Sequence, residues 1–236
     1  MRTLILVLIY VFVILLVIPL FLFCFLIRWR GPLLLLGKAA MAMGAWILGI
    51  RLNISGRDTV NRGSPSVFMA NHLSFLDGPL LFHLIPQVVR VILKKEIFRI
   101  PIIGWAMRFV GFVPVDRKGL NSGRRSIERA TQLIKTKGYS YLIFPEGTRS
   151  RDGKMQSFRR GAFFLAINSG APVVPITIEG THDLMPKGSP LTKRGTVRVI
   201  FHKAVSVNGL NEEDMPTLME HVRAQIRSGF QAASNS

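Results

Sequence analysis

The chain begins with a long uncharged stretch. Thr3–Ile27 covers 25 residues without a charge, with Arg2 before it and Arg28 and Arg30 after it. As a helix rising ~1.5 Å per residue, that length matches a hydrocarbon core of ~30 Å. A cleaved signal peptide has a shorter apolar core and a small-residue cleavage site, and "FLIRWRGPLL" offers neither. A buried core helix is the alternative reading, although core helices are seldom apolar on every side over this length. Pro19 predicts a kink. A second apolar run, Leu33–Ile50, is broken only by Lys38 and reads as a second span, a re-entrant segment or an interfacial helix. Trp29, Trp46 and the arginines near them suit the headgroup level.

From Asn53 the pattern changes. Short apolar runs at 66–70, 88–93, 139–144, 172–178 and 196–201 read as strands. Between them, Ser126–Lys137 places Ile127, Ala130, Leu133 and Ile134 at helical spacing, with Gly138 as its stop. Phe158–Ser169 is a second helix ended by Gly170, and Leu218, Met219, Val222 and Ile226 mark one face of a third. The pattern predicts anchoring helices over residues 1–52, an α/β domain with a largely parallel sheet and flanking helices over 53–230, and a frayed tail over 231–236.

Composition narrows the partners. The 31 Lys and Arg against 13 Asp and Glu give a net charge of +18, which favours an anionic partner. Nucleic acid fits poorly, because 49% of residues are hydrophobic and no binding motif interleaves aromatics with the basic positions. A greasy, basic chain points to an anionic membrane surface. Arg28, Arg30, Lys38 and Arg51 follow the first apolar segment, so if it spans, the main domain lies on the cytoplasmic side. The single Cys24 excludes an internal disulfide.

In parallel sheets, ligands gather at the carboxyl ends of the strands. The residues there are Asn71–His72, Lys94–Lys95 and Pro145–Glu146–Gly147–Thr148–Arg149, three polar clusters meeting at one edge. In "NHLSFLDGPL", His72 and Asp77 are five apart, about 140° around a continuous helix, so they meet only if His72 lies in the preceding turn. Ser74-x-x-Asp77 is a capping box signature that would build such a turn. Read alone, the pair is better explained by capping than by catalysis. "FPEGTRS" sets a carboxylate and a guanidinium around Gly147, which suits an anion or, equally, an ordinary turn. "GFVPVDR" adds Arg117. "VVPITIEG" reads as a buried strand whose Pro175 needs an edge or a bulge. The remaining histidines show no metal-ligand spacing, and no phosphate or dinucleotide loop is present.

In this order, the four motifs resemble the blocks of the glycerolipid acyltransferase family, most closely its bacterial 1-acyl-sn-glycerol-3-phosphate acyltransferases. "NHLSFLD" is similar to that family's N-H-x4-D block, and "GFVPVDR", "FPEGTRS" and "VVPITI" to its second, third and fourth; the likeness covers roughly Ser66–Gly180. The resemblance implies transfer of a fatty acyl group from acyl-CoA or acyl carrier protein, without another cofactor, to lysophosphatidic acid at the cell inner membrane. It implies that His72 takes the hydroxyl proton while Asp77 holds its tautomer. Arg117, Arg149 and Lys94 or Lys95 would grip the acceptor's phosphate beside Glu146, Gly147 and Thr148. Glycerol 3-phosphate, a lyso-ornithine lipid or another lysophospholipid are alternative acceptors, and a non-enzymatic basic membrane protein is the alternative from another class.

Overall fold

The computed structural model describes residues 2–116 and 120–234. Two apolar helices, α1 (Arg2–Leu26) and α2 (Gly31–Leu48), pack as an antiparallel pair. The halves of α1, Arg2–Val13 and Val17–Leu26, meet at 46°. The bend falls one turn before Pro19, where the proline ring excludes the carbonyl four residues back.

Seven strands follow: β1 (Ile50–Ser55), β2 (Val67–Ala70), β3 (Val89–Lys94), β4 (Val113–Val115), β5 (Ser140–Ile143), β6 (Val173–Glu179) and β7 (Gly195–Phe201). They form one sheet in the order β1-β7-β6-β2-β5-β3-β4, parallel except for the β6–β7 pair. The five expected strands are all present. β1 and β4 were not expected, and the reason is visible in their side chains. β1 alternates buried and exposed residues at the end of a continuous apolar run, and β4 is three residues long with Pro114 at its centre.

Helices α3 (Asp77–Leu84), α4 (Ile103–Phe109), α5 (Leu120–Lys137), α6 (Gly161–Ser169), α7 (Thr181–Leu184) and α8 (Met215–Ser234) connect or cover the strands. β2 is buried along its whole length and alternates its side chains between two cores. Phe68 and Ala70 join Leu81, Leu142 and Val174 under α2 and α3, while Val67 and Met69 join Tyr141, Phe163 and Val222 under α5, α6 and α8.

The expected boundary at residue 52 falls inside β1, and α2 belongs to the domain. Its Leu34, Ala45 and Leu48 are buried in the first core. Lys38 Nζ donates to the carbonyls of Ile85 (2.6 Å) and Gln87 (2.7 Å), satisfying the chain end beyond α3. α8 continues to Ser234, through most of the expected tail.

Pro175 lies in the interior strand β6 but opposite a bulge. Ile176 pairs with Phe201 while Val173 bridges Val205, so the partner chain carries one residue more. The Pro175 carbonyl accepts the His202 N–H at 2.9 Å, and the missing proline donor faces the bulge rather than a ladder position.

Candidate active site

The site is built where β2 ends. Asn71 pins that end to β6 by donating to the Ile178 carbonyl (2.8 Å) and accepting the Ile178 N–H (2.9 Å). The next residue, His72, leaves the sheet with its backbone held on both sides by the loop after β5. Its N–H donates to Glu146 Oε1 at 2.9 Å, and its carbonyl accepts the Ser150 N–H at 2.8 Å. Its ring stacks on Phe144, with centroids 4.0 Å apart and planes at 16°. The imidazole therefore has a fixed position and a fixed plane.

Asp77 fixes the remaining direction. His72 Nδ1 lies 2.9 Å from Asp77 Oδ2, and the side chains are 11% and 0% exposed. The same oxygen accepts the Leu73 and Ser74 N–H groups at 2.6 and 2.7 Å, and Oδ1 accepts the Thr181 hydroxyl at 2.6 Å. Only half of the expected capping box forms: Asp77 accepts the Ser74 N–H, whereas Ser74 Oγ takes the Leu76 N–H at 3.3 Å rather than that of Asp77, and Leu76 is the residue that precedes α3. Capping and pairing with His72 thus use one carboxylate. With Nδ1 turned to Asp77, Nε2 is the nitrogen left for a substrate.

Glu146 is 2% exposed, and its Oε2 is buried without a hydrogen-bond partner among the described residues. Burial pushes its carboxyl up to about 7, against the pull of the His72 N–H and with added repulsion from Asp77. It is first a clamp on the turn that carries His72. Gly147 adopts φ +72°, and a Cβ there would lie 2.8 Å from Arg159 Nε, so glycine lets that arginine cross the loop. Lys187 Nζ donates to Thr148 Oγ1 (3.3 Å) and to the Arg149 carbonyl (2.9 Å), and the Arg149 side chain is half-buried.

The structure brings His72, Asp77, Glu146, Gly147, Thr148 and Arg149 together. Lys94 and Lys95 emerge from β3, two strands from β2, and are ion-paired with Glu96 (3.6 Å) and Asp116. Arg117 lies outside the described residues. A cavity of about 840 Å³ lies beside the loop, lined by Ile127, Ile143, Phe164, Arg124 and Arg159. Phe144 separates it from His72, lining the cavity while stacking on the imidazole.

Thr181, Arg159, Lys187 and Phe144 escape a reading by spacing. Thr181 and Phe144 lie 104 and 72 residues beyond the Asp77 and His72 they touch, and Arg159 and Lys187 lie 12 and 39 residues beyond Gly147 and Thr148, so the fold brings them in. Phe144 alone had a signal, as the residue ending an expected strand beside "PEGTR".

The chain is similar to known proteins in sequence and in fold. The family model described as Acyltransferase matches residues 51–179. The chloroplastic 1-acyl-sn-glycerol-3-phosphate acyltransferase LPAT1 of Arabidopsis thaliana is 45% identical over 157 residues, covering 66% of this chain and 44% of that one. The corresponding alpha enzyme of Homo sapiens is 30% identical over 189 residues, covering 80% and 67%. The chain thus spans less than half the length of the plant relative it matches. The crystal structure of the 1-acyl-sn-glycerophosphate acyltransferase of Thermotoga maritima aligns at a TM-score of 0.81 and 26% identity, over 100% of this chain and 99% of that one.

Proposed function

From the premise that the chain belongs to the Acyltransferase family, we propose that it moves a fatty acyl group from a thioester to the sn-2 hydroxyl of lysophosphatidic acid, forming phosphatidic acid. The observation that carries this reading is the His72–Asp77 pair, whose histidine backbone is clamped by Glu146 and Ser150. The names of the relatives support the acceptor.

The acceptor hydroxyl gives its proton to His72 Nε2 as its oxygen bonds to the thioester carbonyl carbon. The tetrahedral intermediate breaks its carbon–sulfur bond, and the leaving thiolate takes the proton back from the imidazolium. The products are ester and thiol, and no acyl-enzyme forms. Asp77 stabilises the transient imidazolium, so general base catalysis contributes ~10²–10⁴-fold. Arg149 holds the phosphate with a planar two-donor fork, with Arg159 and Lys187 adding positive charge beside it. The donor is acyl-CoA or acyl carrier protein, and the reaction takes place at the surface of the cell inner membrane on its cytoplasmic side.

Purified full-length protein offered lysophosphatidic acid, glycerol 3-phosphate and monoacylglycerol, each with both donors, tests the reading. Phosphatidic acid should form fastest. Preferred acylation of glycerol 3-phosphate would keep the chemistry and overturn the acceptor.

A further inference from the structure

Exposed apolar surface does not stop at α1 and α2. Beyond the 3₁₀ turn Lys95–Arg99, Ile100 is 47% exposed, and Trp105 on α4 is 65% exposed. Arg99, Pro101 and Arg108 are exposed beside them. The segment is not loose. Arg108 Nη1 donates to the Phe98 carbonyl at 3.1 Å, and Phe98 is 2% exposed under the turn. Ile102 adopts φ +63°, which a β-branched residue takes only when its surroundings hold it there.

α4 is also knit to the end of α1. Phe109 meets the rings of Phe21 and Phe25 at 6.2 and 5.4 Å, and its carbonyl accepts Arg30 Nε at 2.8 Å. Leu26, Ile27 and Trp29, all exposed, lie in that α1–α2 turn. The patch around Trp105 therefore continues the apolar surface of the N-terminal helices. Glu96 is the only acid between Lys95 and Phe109, and Lys94 pairs with it. Among the described residues of α5, α6 and α8, no large apolar side chain is exposed. Among the described helices, exposed large apolar side chains lie on α1, α2 and α4.

We propose that Ile100–Arg108 is a second lipid-contact surface, separate from α1. Ile100 and Trp105 enter the boundary between headgroups and acyl chains of an anionic leaflet, and Arg99 and Arg108 meet its phosphates. Tryptophan with flanking arginine is the chemistry of that boundary. The proposal rests on the reading that the protein works at a bilayer. Its added content is a second foothold, which fixes the roll of the domain where one helix alone would leave it free.

The chain has three tryptophans, Trp29, Trp46 and Trp105, so single-tryptophan full-length variants report each site. W29F/W46F keeps Trp105, and W29F/W105F keeps Trp46. Each is mixed with phosphatidylglycerol-rich vesicles whose acyl chains are brominated near the headgroup. Trp105 emission should shift to the blue and be strongly quenched, and I100S/W105S should bind vesicles about ten-fold more weakly, the order expected for losing a buried aromatic. Quenching of Trp46 with Trp105 unchanged would overturn the second surface while leaving membrane binding intact. Absence of quenching at both sites, with the protein left in the supernatant after vesicle sedimentation, would overturn both.

Discussion

Asp77 makes four polar contacts, and the one from Thr181 reaches across 104 residues to a fully buried carboxylate. Replacing that hydroxyl by the isosteric methyl of valine leaves Asp77 Oδ1 without its donor. T181V should lower kcat about ten- to a hundred-fold at little change in KM, the range for a hydrogen bond to a charged group, and T181S should restore most of it. Thermal unfolding measured alongside separates this from loss of fold. Glu146 gives a pH signature. Its carboxyl titrates near 7 in the folded protein against an ordinary 4.5, so the native state holds more protons between those values. The stability it contributes is full below about pH 4.5 and fades as pH rises to about 7; denaturant unfolding of E146Q should lack that decline. In the proposed reaction Arg149 holds the acceptor's phosphate. R149A should cut kcat/KM for lysophosphatidic acid about ten- to a hundred-fold, chiefly through KM, with monoacylglycerol transfer changed much less. R149K should recover only part, because an ammonium lacks the fork. Equal losses on both acceptors would make Arg149 a scaffold residue. His72, Asp77 and the 146–149 loop were legible in the sequence because each follows an apolar run that ends at the same sheet edge. The partners on β6 and beyond were not, since nothing local marks Thr181 or Lys187.

At the scale of elements, the two N-terminal helices divide their work. α2 supplies core side chains and holds the chain beyond α3 through Lys38, so its sequence is apolar for two reasons at once: packing and surface. That overlap hid the domain boundary, because a run such as Leu33–Ile50 looks alike whether it meets protein or lipid. β1 was hidden for the same reason, beginning where the run ends. Removing residues 1–50 should therefore unfold the domain, as each large core side chain lost costs ~2–5 kcal/mol. Removing only residues 2–26 should leave a cooperative thermal transition but greatly reduce sedimentation with vesicles. A stable, fully soluble domain lacking residues 1–50 would contradict the place assigned to α2. Pro175 was read as needing an edge or a bulge, and the structure supplies the bulge: a missing donor must be accommodated locally.

Seen whole, the helices with exposed large apolar side chains, α1, α2 and α4, lie against one another. α1 touches the domain at both ends, through Thr3 Oγ1 to the Thr192 N–H at 3.3 Å and through Phe21 and Phe25 to Phe109. A helix tied to one body at each end lies along it rather than leading away from it. The strongly basic charge was legible from composition, but which apolar residues stay exposed was not, because that follows from the order of strands and crossovers. Phe75, in the turn between His72 and Asp77, is 56% exposed, so the pair opens beside apolar surface that suits the proposed lipid acceptor. The central claim is that His72 removes the proton of that acceptor's hydroxyl. The most direct test is the initial rate of phosphatidic acid formation from lysophosphatidic acid and an acyl thioester, by wild-type protein and by H72A of matched circular dichroism. The account predicts a loss of ~10²–10⁴-fold, the size of positioned base catalysis. H72A turning over at more than about a tenth of the wild-type rate would contradict a base of that kind.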